Sequence, residues 1–194
     1  MTKFRHVVFF FPLIICLSSG EVSSKTAPII IDPSLLAFDT FPSISSSVKF
    51  FVGTIQGTLI EGSTDTIGFT RTGRKTKAPI ICSPSSAIKE SLQELFSKKG
   101  ALASEKSSAT FVIQVDILDF QLKETSRFLS QTMDAHIKLD VKMVDPYSTE
   151  NSKRLIVESQ NSKSALDTSK HAQEVMRGAL ESVLLEAIQN LSKS

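Results

Sequence analysis

Between residues 133 and 143 the chain alternates without a break: Met133, Ala135, Ile137, Leu139, Val141 and Met143 are apolar, and Asp134, His136, Lys138, Asp140 and Lys142 between them are polar. Successive side chains on a strand point to opposite faces, so this segment predicts a strand with one face on a core and the other in water. The strand before it keeps the same phase through Phe111, Ile113, Val115 and Ile117, then shifts to Leu118, Phe120 and Leu122. A one-residue shift would turn the faces over, so the pattern predicts a bulge or strong twist near Ile117 and Leu118.

Residues 48–61 are rich in Val, Ile, Phe and Thr and read as a strand that Gly53 and Gly57 allow to bend. Residues 78–82 read as a short strand, and residues 154–159 as another, after the turn marked by Asp145-Pro146 and Asn151. Residues 61–77 differ: Gly62, Gly68 and Gly73 are interspersed with Thr, and Arg71, Arg74, Lys75 and Lys77 gather at the end.

Helical spacing occurs twice. Ile88, Leu92, Leu95 and Phe96 form one stripe, with Ser83 and Pro84 placed to start a helix and Gly100 to stop it after Lys98 and Lys99. Near the C-terminus Ala172, Val175, Met176, Ala179, Leu180, Val183, Leu184, Ala187, Ile188 and Leu191 form a wide stripe, with Asp167 or Thr168 as the cap. One-sided helices need a flat apolar surface, and one-sided strands supply it. The predicted fold is therefore α+β, a two-layer sandwich with a mainly antiparallel sheet of about four to five strands and two helices packed on one face.

The N-terminus is of another kind. Lys3 and Arg5 precede an apolar run over residues 7–15, interrupted only by Pro12, then Cys16 and the small Ser18, Ser19 and Gly20. This is the form of a secretory leader over residues 1–20, and its apolar run is too short to cross about 30 Å of hydrocarbon. Leu13-Ile14-Ile15-Cys16 has the Leu and Cys of a lipobox, with Ile15 where a small residue is usual, so Cys16 is the candidate lipidation site. Cleavage after Gly20 is the alternative, releasing a soluble chain that starts at Glu21. Residues 21–47 mix Ser, Thr and Pro with apolar islands and read as a tether with one short strand at Ile29-Ile30-Ile31. Fully extended, they would reach about 90 Å at about 3.3 Å per residue. Residues 48–194 are then a single α+β domain.

Charge narrows the partners. The chain has 22 basic and 20 acidic residues, and the leader carries away Lys3 and Arg5, so the remainder is balanced. A nucleic-acid binder needs a basic surplus, so none is expected. There are two cysteines, and with Cys16 acylated or removed, Cys82 has no partner in the chain and reads as a small buried hydrophobe. No G-x-S-x-G, H-E-x-x-H, P-loop, C-x-x-C or G-x-G-x-x-G pattern occurs, so no catalytic residue, metal or cofactor is assigned. His136 falls on the polar side of its strand and His171 in the first turn of the last helix, both readable as surface residues. Arg71, Arg74, Lys75 and Lys77 form the one concentrated charge, a candidate contact loop for lipid headgroups, lipopolysaccharide phosphates or an acidic partner.

Taken with the segment Ala27-Pro28-Ile29-Ile30-Ile31-Asp32-Pro33, the helix ending at Gly100, the strand pair over residues 112–120 and 135–144, and the final helix over 172–191, the chain resembles the YajG family of bacterial lipoproteins. It resembles more distantly LptE and the auxiliary lipoproteins of ABC-type envelope transporters. The resemblance implies a non-enzymatic domain, anchored to a membrane through the lipid on Cys16 and facing the periplasm, that binds an envelope protein or an envelope lipid component. A soluble periplasmic protein holding a small apolar ligand is the second expectation. A cavity lined by Phe111, Ile113, Leu139 and Val183 would favour it.

Overall fold

The computed structural model describes residues 28–57, 65–71, 77–126, 131–148, 151–165 and 169–192. Six strands and two α-helices follow in the order β1 (Phe50–Gln56), β2 (Thr66–Arg71), β3 (Lys77–Ile81), α1 (Pro84–Lys98), β4 (Phe111–Ser126), β5 (Gln131–Val144), β6 (Lys153–Ala165) and α2 (Ser169–Ser192). The α+β class is as expected, but the sheet has six strands and is mixed. Its order is β3-β2-β4-β5-β6, with β1 also on β4. β1 lies parallel to β4 over Phe50↔Phe111 to Gln56↔Asp116, and β2 lies parallel to it further along, at Gly68↔Leu122 and Phe69↔Lys123. The long β4 therefore carries two short strands end to end on one side and β5 on the other.

β5 follows its sequence pattern: the six apolar odd-numbered residues of 133–143 are buried. The phase shift in β4 is a bulge, because its antiparallel register with β5 slips between Ile117 and Asp119 and leaves Leu118 exposed. β2 lies within residues 61–77, to which the sequence pattern assigned no element. Gly68 passes so close to β4 that a Cβ would overlap the Leu122 carbonyl oxygen, so the glycine is what lets the strands meet. β6 extends to Ala165, well past the predicted 154–159, and every residue from Lys153 to Ala165 has a partner on β5.

α1 begins at Pro84 after Ser83, but the Ser83 hydroxyl donates to Ser86 Oγ at 3.2 Å and does not cap the helix backbone. It ends as predicted, with Gly100 at φ +64°, a left-handed conformation that glycine adopts without strain. The caps foreseen for α2, Asp167 and Thr168, lie outside the described residues, while its apolar stripe from Ala172 to Leu191 is buried.

Residues 28–41, expected to belong to a tether over 21–47, pack on the domain instead. Residues 28–41 form two 3-10 turns, Pro33–Leu35 and Phe38–Thr40, and bury Ile29, Ile31, Leu36, Phe38 and Phe41 in the same core as both helices. No strand forms at Ile29-Ile30-Ile31, although Ile29 N–H donates to the Ile81 carbonyl at 2.8 Å. Lys99 Nζ donates to the Phe41 carbonyl at 2.9 Å, and Lys98 Nζ sits 5.0 Å from the Phe38 ring centroid. The segment is a strap over α1, because its apolar islands gain more by burial than a solvated tether would.

Candidate functional site

A cavity of about 590 Å³ opens at the end of the sandwich where β1 and β4 start, β5 stops and α2 finishes. Phe50 and Phe111 come from the first positions of β1 and β4, Met143 from the end of β5, and Ile188 and Leu191 from the last turns of α2. The loop before β1 closes one side with Ile44 and Val48, held by a turn in which Val48 N–H donates to the Ser45 carbonyl at 3.0 Å. The wall is aliphatic and aromatic; Ser43, Ser45, Asn151 and Ser192 supply polar atoms, and among the described residues Lys153 is the one charged residue lining it. Lys153 Nζ lies 3.4 Å from the Leu191 carbonyl, a cation at the negative end of the α2 dipole.

This is not the cavity expected from sequence. Of Phe111, Ile113, Leu139 and Val183, only Phe111 lines it; the other three are closely packed in the core. The space lies at the edge of the layers because the strands and α2 run out there together, whereas their middles interdigitate fully. No periodic signal separates Phe50 or Met143 from other inward residues, so the sequence could not single them out.

The sheet face away from the helices carries two polar networks across β4, β5 and β6. In the first, Arg154 donates from Nε to Asp140 Oδ1 at 2.9 Å and from Nη2 to Oδ2 at 2.7 Å, while Lys142 Nζ donates to Asp116, which also accepts from Gln56. Asp140 is only 2% exposed, and the Arg154 guanidinium holds its carboxyl below the usual carboxylate range. In the second, His136 stands between two carboxylates, with Nδ1 2.6 Å from Asp119 and Nε2 2.8 Å from Glu158. Glu158, then Asp119, raises the imidazole pKa against the opposing effect of burial. Both ring nitrogens face carboxylate oxygens, so the ring is placed as an ion-paired imidazolium and not as a base beside a hydroxyl.

Cys16, Arg74 and Lys75 lie outside the described residues. Arg71 and Lys77 form the last register pair of the β2–β3 hairpin. Cys82 is buried, and desolvation pushes its thiol up to about 11, so it is an inert hydrophobe as predicted. His171 lies 3.3 Å from Glu174 on its own helix. Among the described residues, no group of three or more His, Cys, Asp or Glu side chains is arranged to hold a metal ion, and no helix is long and apolar enough to cross a membrane.

No protein-family model and no curated protein matches the chain. Solved structures do. A Xanthomonas campestris protein of the DUF330 family matches at 14% identity over 78% of this chain and 84% of its own, with a TM-score of 0.47. A hypothetical protein from Chlamydia trachomatis matches at 9% identity over 76% of this chain and 99% of its own, with a TM-score of 0.43. A minor lipoprotein from Acinetobacter baumannii matches at 8% identity over 74% of this chain and 92% of its own, with a TM-score of 0.41. At these values the likeness assigns neither a family nor an activity to the chain.

Proposed function

We propose that the chain is an exported envelope protein, anchored through a lipid on Cys16 and facing the periplasm, that works by binding an apolar envelope component and not by catalysis. The leader over residues 1–20, ending in the lipobox-like Leu13-Ile14-Ile15-Cys16, supports export and anchoring. The observation that carries the binding activity is the end cavity, about 590 Å³ with an apolar wall, within the size range of small-molecule sites. An aliphatic chain entering it gains about 0.8 kcal/mol per buried methylene. Among the described lining residues the charged one is Lys153, a cation that fits a neutral or anionic oxygen-bearing head better than a cationic one.

Titration of the purified protein with saturated fatty acids of increasing length tests the reading. Affinity is expected to rise about fourfold per added methylene until the cavity is full. A quaternary ammonium amphiphile of equal length is expected to bind more weakly than the acid. Absence of saturable binding at every length, or binding unaffected by an Ile188→Arg substitution in the wall, refutes it.

A soluble periplasmic carrier of the same ligand is the second reading, favoured by the same cavity and by the small residues Ser18 and Gly20. Metabolic labelling with a palmitate analogue, with Cys16→Ala and globomycin as controls, separates the two. Label lost in Cys16→Ala supports the anchored form, and an unlabelled chain beginning at Glu21 supports the soluble one.

A further inference from the structure

β6 is the last strand of the sheet, and no described strand pairs with its outer edge. The strand is 13 residues long, contains no proline, and keeps one register with β5 from Gln131↔Ala165 to Met143↔Lys153 without a shift. Proteins normally protect such an edge by shortening, bulging or proline, and none of these devices is present. Its lysines stand near the two ends, and Lys163 is drawn to Glu174 of α2 at 2.8 Å.

On the face away from the helices β6 presents Arg154, Ile156 and Glu158 in alternation, a cation, an aliphatic and an anion. Ile156 is 57% exposed and free of the domain's own packing; the Arg154 side chain is 66% exposed although it holds Asp140, and Glu158 is exposed although it holds His136 and Lys138. The triplet is complementary to itself when reversed. A two-fold axis normal to the sheet at Ile156 sets Ile156 against Ile156, Arg154 against Glu158 of the second copy, and Glu158 against Arg154 of the second copy. On the inner face the same operation sets Leu155 against Val157. Opposed residues of an antiparallel pair share a face, so such an axis must fall on a residue. Centres at Arg154 or Glu158 would oppose like charges, and no centre other than Ile156 pairs Arg154 with Glu158.

We propose that β6 is a self-association edge, and that two copies of this chain join through antiparallel β6 strands centred on Ile156. The pairing satisfies the exposed backbone groups of both edges, removes Ile156 from water and sets Arg154 and Glu158 of opposite copies side by side, joining the networks in which each already takes part. Because the axis is normal to the sheet, the helices of both copies stay on one side and the polar networks on the other. The end cavity opens beside Lys153, the first residue of the same strand, so the two cavities lie near the joint. The proposal does not depend on what those cavities hold.

The experiment uses the full chain with Cys16→Ser, so that buried Cys82 is the remaining native thiol. Light scattering after size exclusion is expected to give twice the chain mass. Ile156→Lys sets like charges face to face, and its dissociation constant is expected to rise more than 100-fold while its circular dichroism spectrum stays that of the parent. Ile156→Cys is expected to cross-link to itself under mild oxidation, since directly opposed Cβ atoms lie about 4.5–5.5 Å apart. Ser162→Cys is expected not to, because at about 3.3 Å per residue its two copies would stand about 40 Å apart. A monomeric parent, a folded Ile156→Lys variant that remains a dimer, or a Ser162→Cys variant that links as readily as Ile156→Cys overturns the proposal.

Discussion

The Phe50 and Phe96 rings stack with centroids 4.6 Å apart and 14° between their planes, joining the first residue of β1 to the last turns of α1. Phe111 stands 6.0 Å from Phe50, and Phe50 and Phe111 form one wall of the end cavity. Phe96 is fully buried, and its truncation to Ala is expected to cost about 3–5 kcal/mol in chemical denaturation. A loss under about 1 kcal/mol would mean that α1 is not clamped to β1 in solution.

Gly68 has no room for a side chain against the Leu122 carbonyl. Gly68→Ala must push β2 away from β4, at a cost of about 1–3 kcal/mol. Hydrogen exchange would show it: amides of β2 and β3 should lose protection, while those of β5 keep it.

His136 confers stability that depends on pH. Glu158 and Asp119 raise its folded-state pKa above the unfolded value of about 6.5. The contribution is therefore fully present below about pH 6.5 and is lost as pH rises through the raised folded value. Melting temperatures of the parent and His136→Ala are expected to differ most near pH 6 and to converge toward pH 9. An unchanging difference over that range would deny the ion pairs.

Asp140 behaves in the opposite sense. Arg154 lowers its folded-state pKa, so its contribution is present above the unfolded value of about 3.9 and fades as pH falls through the folded one. Arg154→Ala leaves a buried carboxylate without its bidentate partner and is expected to destabilise at neutral pH. Toward pH 3 the penalty should shrink as Asp140 takes up a proton. A penalty that grows on acidification would contradict this account.

Replacing Arg71, Arg74, Lys75 and Lys77 together by Gln is expected to leave the melting temperature of the domain unchanged, since Arg71 and Lys77 form the last register pair of the β2–β3 hairpin. If the basic cluster contacts anionic lipid, vesicle flotation should fall markedly in the variant, in low salt more than in high. Equal flotation of the two proteins would remove the loop from the functional account.

Much of the fold could be read from hydrophobic spacing. The apolar residues of β5 and α2 face the core as their periods of 2 and 3.6 predict, and the bulge after Ile117 follows from a phase change in β4. β2 escaped because its glycine is needed for an approach to Leu122, a residue 54 positions away. The far half of β6, Gln160-Asn161-Ser162-Lys163-Ser164, carries no apolar signal, and is a strand because β5 offers it a ladder. The strap over residues 28–41 was hidden by prolines that break any period, yet Phe38 and Phe41 find burial against α1.

Local spacing alone settled which residues face inward and where the chief helices run, because each of these depends on neighbours within a few positions. Strand order and direction, the void at the end of the layers and the exposed edge of β6 were decided by the assembled chain. A period-two pattern is the same whether its neighbour runs parallel or antiparallel. An unfilled space belongs to several segments meeting, and none of them encodes it separately.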